Sequence, residues 1–130
     1  MNKYISATAA SLGMLAILLG AFGAHALKEK LDPSSLQSFE TGVRYMMYHV
    51  LAILFIQNNR NLGSADIQRI SLLFLSGILC FSGSIFLISM GFVKASAIWF
   101  VTPLGGFLFL AGWILAAIGF IKGHRTQRTQ

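Results

Sequence analysis

Four long stretches of the chain contain no charged residue, at residues 4–27, 45–59, 70–93 and 95–121. Three of them, of 24, 24 and 27 residues, exceed the roughly 20 residues that an apolar helix needs to cross a bilayer. A helix with one face in water would carry charged or strongly polar residues at regular intervals. The pattern therefore predicts an all-α protein, a transmembrane four-helix bundle that forms a single domain over residues 1–122.

The first predicted helix, residues 4–27, carries small residues at steps of three or four: Ala9, Gly13, Ala16, Gly20 and Ala24. In lipid, small residues let another helix approach closely and gain van der Waals contacts, so we expect this helix at the centre of the bundle. A cleavable signal peptide is the alternative, because the small-residue pattern around His25 resembles a cleavage site. The apolar stretch is longer than a signal requires, which favours a retained helix.

The second helix is predicted over residues 33–57. Asp32 followed by Pro33 is typical of a helix start, because Asp accepts hydrogen bonds from unpaired backbone N–H groups and Pro has no N–H to satisfy. Apolar residues then recur at three- and four-residue steps, so an amphipathic first half leads into an apolar second half. Further helices are predicted over residues 70–90 and 97–121, with a bend at Pro103 and a basic, flexible tail over residues 123–130.

The composition supports a membrane environment. Of the 130 residues, 55% are apolar and 11% are charged, against roughly 25% charged in soluble domains. A net charge of +6 would suggest nucleic acid as the partner of a soluble protein, but these basic residues are scattered over predicted loops and ends. We therefore predict the lipid bilayer, and no nucleic acid, as partner. The single cysteine, Cys80, excludes an intrachain disulfide, and no cofactor motif is present.

Basic residues predict the orientation. Six lie at the amino terminus, in the second loop and in the tail: Lys3, Arg60, Arg69, Lys122, Arg125 and Arg128. Four lie on the opposite side: Lys28, Lys30, Arg44 and Lys94. Because basic residues are retained preferentially on the cytoplasmic side, both termini are predicted to be cytoplasmic.

Six polar residues stand out from this apolar chain, toward the side opposite the termini. They are His25 at the end of the first helix and Glu40, Arg44, Tyr45, Tyr48 and His49 on the second. Glu40, Arg44 and Tyr48 are successive i, i+4 neighbours, as are Tyr45 and His49. An unpaired arginine at the bilayer centre costs about 2.5 to 3.5 kcal/mol on insertion scales, so an ion pair between Arg44 and Glu40 is predicted.

Two interpretations of these six residues stay open. In the first, Arg44 supplies fixed charge and His25 or His49 titrates near neutrality, which makes a proton- or anion-responsive site. In the second, which the sequence favours, Glu40 pairs with Arg44, the tyrosines lie at the membrane interface, and the histidines bond backbone carbonyls of neighbouring helices. No metal site is predicted, because two histidines and one carboxylate without tight spacing are a weak ligand set.

Four motifs resemble one family of small membrane proteins. They are GAFGAHAL at residues 20–27, FETGVRYMMYH at 39–49, FSGSIF at 81–86 and PLGGFLFLAGW at 103–113. In this order they resemble the four-helix proteins catalogued as domain of unknown function 423. The resemblance implies a multi-pass protein of the cell inner membrane, and it supplies no enzyme activity, ligand or catalytic residue.

The predicted function is that of a non-enzymatic membrane protein that binds or helps to assemble other membrane components. Small size, short loops and the lack of a soluble catalytic part motivate this prediction, and the partner would be another membrane protein or further copies of the chain. The alternative is a small oligomeric transporter or channel that moves protons or a small solute past Arg44, His25 and His49. An enzyme is not predicted, because neither histidine has an evident acid or nucleophile beside it.

Overall fold

The structure, a computed structural model that describes residues 1–127, consists of four long helices and two short helical turns. The long helices are α1 (Lys3–Phe22), α2 (Pro33–Gln57), α3 (Ser64–Ser89) and α4 (Val101–Gln127). A π-helical turn, Gly23–Leu27, continues α1, and a 3₁₀ turn, Ala95–Ala97, precedes α4. The predicted all-α four-helix fold is confirmed.

The helix starts follow from local capping. The side chain of Asp32 accepts hydrogen bonds from the backbone N–H groups of Ser34 and Ser35, and Pro33 occupies the first helical position. These hydrogen bonds, those from Ser35 above all, hold the pKa of the exposed Asp32 carboxyl below its usual range. Asn2 caps α1 in the same way, through the backbone N–H groups of Tyr4 and Ile5. The prediction that the second helix starts at Pro33 is confirmed.

Other helix ends differ from the predicted ones, because charged residues mark the water boundary and not the end of a helix. The third helix begins at Ser64, not at residue 70, and includes Asp66 and Arg69 in its first turns. The fourth begins at Val101, not at residue 97, since residues 95–97 form a 3₁₀ turn. Pro103 therefore lies in its first turn, where a proline needs no bend because an N–H there lacks an intrahelical acceptor.

The tail predicted over residues 123–130 is helical in its first part. α4 continues to Gln127, and no proline after Pro103 interrupts its backbone hydrogen bonds. A single glycine, Gly123, weakens a helix by only about 1 kcal/mol relative to alanine. Residues 128–130 of the predicted tail lie outside the described residues.

The helices pack in chain order, with α1 against α2, α2 against α3 and α3 against α4. The small residues of α1 face α2, with Gly13 beside Val50 and Gly20 beside Val43. The predicted close approach of another helix to this face is confirmed. The expectation that α1 occupies the centre is wrong, because its one small face serves one neighbour and its other faces are exposed. The helices flanked by a long helix on two sides are α2 and α3.

α1 and α2 run antiparallel over their whole length. Near one end of the bundle Gly23 lies against Phe39. At the other end the backbone N–H of Asn2 donates to Oε1 of Gln57 over 2.8 Å. Nε2 of the buried Gln57 donates to Oγ of Ser71 on α3 over 2.9 Å, so one side chain ties three helices together. α2 therefore returns to the end at which α1 begins.

Among the described residues, three segments are long and apolar enough to cross a membrane: Lys3–Leu27, Ser64–Ser89 and Val101–Gly123. Four such segments were expected from the sequence, and α2 is not among the three. Its 25 residues would extend about 37 Å, so length is not the reason. The reason is composition, because the first half of α2 is rich in polar residues.

A matched pair of glycines tests the packing of α4 on α3. A Cβ atom on Gly105 would lie 2.7 Å from the Cα atom of Phe81, whereas a Cβ atom on Gly106 would have no atom within 4 Å. We expect Gly105→Ala to lower the free energy of unfolding by about 1–3 kcal/mol, because two backbones would have to separate. Gly106→Ala should cause no loss. Unfolding by SDS in mixed micelles, followed by circular dichroism, measures both, and equal losses would contradict this packing.

Candidate functional site

His49 lies at the centre of the contacts between α2 and α4. Its side chain is 4% exposed. Nδ1 lies 2.8 Å from the backbone carbonyl oxygen of Tyr45, one turn earlier on the same helix. The indole N–H of Trp113 on α4 donates to Nε2 over 3.2 Å. Both ring nitrogens are therefore engaged, one with the histidine's own helix and one with a neighbour.

These two partners assign the proton of His49. An indole N–H only donates, so Nε2 must accept, and a carbonyl oxygen only accepts, so Nδ1 must carry the hydrogen. The arrangement fits the neutral ring. A second proton would place an N–H on Nε2 opposite the N–H of Trp113 and break that hydrogen bond. The expectation that the histidines bond carbonyls of neighbouring helices is wrong for His49, since an i, i−4 carbonyl on its own helix is closer.

Aromatic rings from three helices surround His49. The ring of Phe109 is stacked on it at 3.4 Å between centroids with an interplanar angle of 8°. Phe74 meets it edge-on at 5.2 Å, and Tyr45 contacts Phe81 at 4.9 Å. Aromatic pairs of this kind add stability beyond the area that they bury. Together with Trp113, these residues of α2, α3 and α4 form what we call the aromatic cluster: Tyr45, His49, Phe74, Phe81, Phe109 and Trp113.

An apolar groove of about 450 Å³ opens from the aromatic cluster to the outside of the bundle between α2 and α4. Its lining includes Tyr45, His49, Phe81, Phe107, Phe109 and Trp113. Phe107 on its rim is 68% exposed. We call this feature the aromatic groove. Both ring nitrogens of His49 are hydrogen-bonded within the protein. The walls of the aromatic groove are therefore aromatic and aliphatic in character.

The predicted ion pair between Glu40 and Arg44 is absent from the part of the chain that the structure describes. Nη2 of Arg44 donates instead to Oγ1 of Thr41 over 3.2 Å. The Thr41 hydroxyl in turn donates to the backbone carbonyl oxygen of Gln37 over 2.9 Å. Glu40 and Arg44 are both exposed, so water or lipid headgroups can solvate them and nothing forces them to pair.

The six predicted polar residues fall into separate places. Tyr45 and His49 belong to the aromatic groove, and the Tyr48 ring, 58% exposed, lies 6.0 Å from the Tyr45 ring. Glu40 and Arg44 line a different pocket of about 260 Å³ between α1 and α2. His25 is exposed on the π-helical turn, and none of the hydrogen bonds or ring contacts of the described residues joins it to the others. The six therefore do not form one cluster.

Several residues that build this region were missed from the sequence alone. Phe109 and Trp113 are spaced by four on α4, and Phe74 and Phe81 by seven on α3, so each pair shares one helix face. That spacing could have indicated an aromatic interface, but not that His49 would fill it. Gln57, the last residue of the second predicted helix, is also a buried junction of three helices. Among the side chains that the structure describes, no group of three from His, Cys, Asp or Glu is placed to hold a metal ion.

A protein-family model described as "Protein of unknown function (DUF423)" matches residues 19–106. This chain belongs to that family. The match covers all of α2 and α3, with Arg44, Tyr45, His49 and Phe81, and it ends before Phe109. The predicted family is confirmed, and the match contains the first three motifs and the start of the fourth.

Relatives match almost the whole chain. A UPF0382 membrane protein of Haemophilus influenzae is 39% identical over 93% of this chain and 95% of its own length. The inner membrane protein YgdD of Escherichia coli K12 is 36% identical over 95% of this chain and 94% of its own. YwdK of Bacillus subtilis, also described as a membrane protein, is 36% identical over 84% and 89%. No solved structure matches. The protein is a membrane protein, as its composition predicts.

A double-mutant cycle tests the hydrogen bond between His49 and Trp113. His49→Phe keeps a ring stacked on Phe109 but removes both nitrogens, and Trp113→Phe removes the indole N–H. Hydrogen bonds between transmembrane helices average about 0.6 kcal/mol and reach about 1.7 kcal/mol, so we expect a coupling energy in this range from SDS unfolding. Trp99→Phe, at a residue 72% exposed, is the control and should change little. Fully additive losses in the double variant would show that the two side chains are not coupled.

Proposed function

We propose that the protein is a non-enzymatic binding protein that holds another membrane component against the face formed by α2 and α4. The observation that carries this proposal is the aromatic groove, an open apolar concavity bounded by rings that are fixed by the His49–Trp113 hydrogen bond. Small-molecule sites are typically concave and mostly apolar, with few polar groups. The groove has this character on a surface that faces lipid.

The position of the groove along α4 indicates which kind of ligand can enter it. Trp113 is the thirteenth residue of the candidate span Val101–Gly123, which has 23 residues, so it lies near the centre of that span. At this depth the surrounding solvent is hydrocarbon. A ligand of the groove would therefore be apolar where it enters, such as a hydrocarbon chain or an apolar side chain of a partner helix.

An acid–base role for His49 fits the geometry poorly. A general base needs a nitrogen lone pair that faces its substrate. The lone pair of Nε2 faces the indole N–H of Trp113, and Nδ1 bonds the Tyr45 carbonyl. These contacts support a binding role over an enzymatic one.

A transporter, the second candidate, would need Arg44 and His49 to line one passage. In the structure Arg44 lines the pocket beside α1, whereas His49 lies against α4. The two side chains therefore lie on different sides of α2, which favours a binding protein over a conduit.

We propose further that the protein lies in the cell inner membrane with both termini on the cytoplasmic side and with α2 crossing the membrane. The hydrogen bond from Asn2 to Gln57 supports this topology, because it joins the start of α1 to the end of α2. The contact of Gly123 with Asn61 brings the end of α4 to the same end of the bundle. The E. coli relative is described as an inner membrane protein.

Photo-crosslinking from two equally exposed positions tests the binding role. Phe107, 68% exposed on the groove rim, and Ile17, 66% exposed on the outer face of α1, would each be replaced by benzoylphenylalanine. After irradiation in native membranes, mass spectrometry should find one recurrent adduct, a single lipid class or a single protein, at position 107. Position 17 should give only adducts in proportion to bulk lipid.

The same adducts at both positions would contradict a specific binding face. The transporter candidate is tested separately in proteoliposomes. A proton or anion flux that disappears in both Arg44→Ala and His49→Ala would overturn the binding proposal, and the absence of such flux is expected.

A further inference from the structure

The pocket between α1 and α2 carries one positive and one negative side chain that do not pair with each other. Its volume is about 260 Å³. Its lining consists of Gly20, Gly23, Phe39, Glu40, Val43 and Arg44. We call it the charged pocket. Within the described residues, the Arg44 guanidinium has one hydrogen bond, to the Thr41 hydroxyl, and the Glu40 carboxylate has none. Both charges are therefore available to a ligand.

The charged pocket lies close to one surface of the membrane. Gly20 and Gly23 belong to the candidate span Lys3–Leu27, and Gly23 is four residues from its end, or about 6 Å. The 25 residues of this span extend about 37 Å, against roughly 30 Å for the hydrocarbon core of a bilayer. The pocket is therefore near the boundary at which acyl chains give way to headgroups.

Within the charged pocket, Glu40 lies nearer the membrane surface than Arg44. α1 and α2 are antiparallel and Phe39 lies against Gly23, so α2 begins at the surface end of the pocket. Glu40 precedes Arg44 by one turn, or about 6 Å. Helical side chains tilt toward the N-terminus of their helix, and Nη2 of Arg44 accordingly reaches Oγ1 of Thr41, three residues nearer that end. From the surface inward, the order is carboxylate and then guanidinium.

Neither charge has a strong competitor inside the protein. An exposed ion pair between residues four apart on a helix favours its paired form by only about twofold, so rotation of Glu40 toward Arg44 gains little. The guanidinium carries five N–H donors in a planar fork, and one of them is used within the described residues. A ligand that satisfies both charges together therefore displaces almost nothing.

A phosphatidylethanolamine headgroup carries two charges in the complementary order. Its phosphate is joined to the glycerol, and its primary ammonium lies further out along the headgroup. The phosphate would thus meet the deeper Arg44, whose parallel N–H groups match two phosphate oxygens. The ammonium would meet the outer Glu40 and donate hydrogen bonds to its carboxylate. Both the signs of the charges and their order along the membrane normal fit this headgroup.

Other ligands match the charged pocket less well. Phosphatidylglycerol offers a phosphate but no cation, and the Glu40 carboxylate would repel its net negative charge. Phosphatidylcholine offers a cation whose methyl groups leave no N–H to donate. A free zwitterion lacks the acyl chains that keep a lipid at this depth. The volume lies below the roughly 300–1,000 Å³ of sites that enclose a whole ligand, so the pocket fits a headgroup and the chains remain in the bilayer.

We propose that the charged pocket binds the headgroup of one phosphatidylethanolamine molecule, with the phosphate on the Arg44 guanidinium and the ammonium on the Glu40 carboxylate. This site lies on a different side of α2 from the aromatic groove. It goes beyond the binding role proposed above, and neither proposal depends on the other.

Native mass spectrometry of the full chain measures this selectivity. The protein is released from detergent micelles that contain equal amounts of phosphatidylethanolamine, phosphatidylcholine and phosphatidylglycerol with identical acyl chains. Each complex with one lipid is identified by its mass. We expect the phosphatidylethanolamine complex to exceed each of the other two by about three- to fivefold, within the range that one exposed ion pair supplies.

Single variants separate the roles of the two charges. Glu40→Gln should abolish the preference, because the group that distinguishes the headgroups is gone. Arg44→Gln should lower the occupancy by all three lipids while the preference persists, because all three carry a phosphate. Glu29→Gln and Lys94→Gln remove exposed charges outside the lining of the pocket and should change neither quantity. Unchanged SDS unfolding verifies that each variant keeps the fold.

Exchange of the two charges tests their order. The double variant Glu40→Arg with Arg44→Glu keeps the net charge and both positions but places the cation nearer the surface. A headgroup tethered through its phosphate would then have to fold back to meet both charges, so the preference should be lost. A preference that survives the exchange would contradict the proposed arrangement.

Several other outcomes would overturn the proposal. They are equal occupancy by the three lipids in the parent protein, a preference that survives Glu40→Gln, and a preference that Glu29→Gln lowers as much as Glu40→Gln does. Displacement of the bound lipid by an equal concentration of soluble glycerophosphoethanolamine would assign the pocket to a free zwitterion and refute the lipid. None of these results bears on the crosslinking from position 107, which tests the aromatic groove.

Discussion

The bundle depends on how α2 meets its polar requirements away from water. Hydrocarbon offers no hydrogen bonds, so a polar group buried in a membrane protein must find its partner inside the protein. α2 carries the buried polar residues His49 and Gln57. It is also the one long helix of the described residues that is not apolar enough to count as a candidate membrane span. Each of its buried polar side chains is paired, His49 with Trp113 and Tyr45, and Gln57 with Asn2 and Ser71. The neighbouring helices therefore supply the hydrogen-bond partners that the bilayer cannot offer to α2.

Close packing brings those partners within reach. Between helices in lipid, burial of apolar surface gives little advantage, and close approach of backbones gives more. α3 and α4 use reciprocal pairs in which a phenylalanine of one helix covers a glycine of the other: Phe109 covers Gly77, and Phe74 covers Gly112. The same two rings contact the imidazole of His49. The glycines therefore position the rings that enclose the histidine, and the face that bears the aromatic groove follows from this packing.

The sequence predicts the helices of this protein well because their signals are local. The charge-free runs indicate the apolar helices, and Asp32 with Pro33 indicates the start of α2. Helix ends are harder to predict from the sequence. Asp66 and Arg69 mark the edge of the apolar part of α3, yet both lie inside the helix. The small face of α1 predicts close packing correctly, but a periodic face does not say how many neighbours a helix has.

The candidate site was harder to predict, since it depends on contacts between helices distant in the chain. Spacing by four suggests that Glu40 pairs with Arg44. In the structure the guanidinium of Arg44 donates instead to the hydroxyl of Thr41, three residues earlier. The partner of His49 lies 64 residues away, and nothing in the local pattern of α2 indicates it. His25 was grouped with Arg44 from its predicted membrane side alone, and a shared side does not bring two side chains into contact.

The proposed crossing of the membrane by α2 is tested most directly by labelling of single cysteines. In a Cys80→Ser background, Lys30→Cys, Ser64→Cys and Ser96→Cys each place one thiol at an exposed position, before α2, after α2 and after α3. A membrane-impermeant maleimide applied to intact cells should label positions 30 and 96, and position 64 only after the membrane is opened. Equal labelling of positions 30 and 64 in intact cells would place both ends of α2 on one side and contradict the crossing.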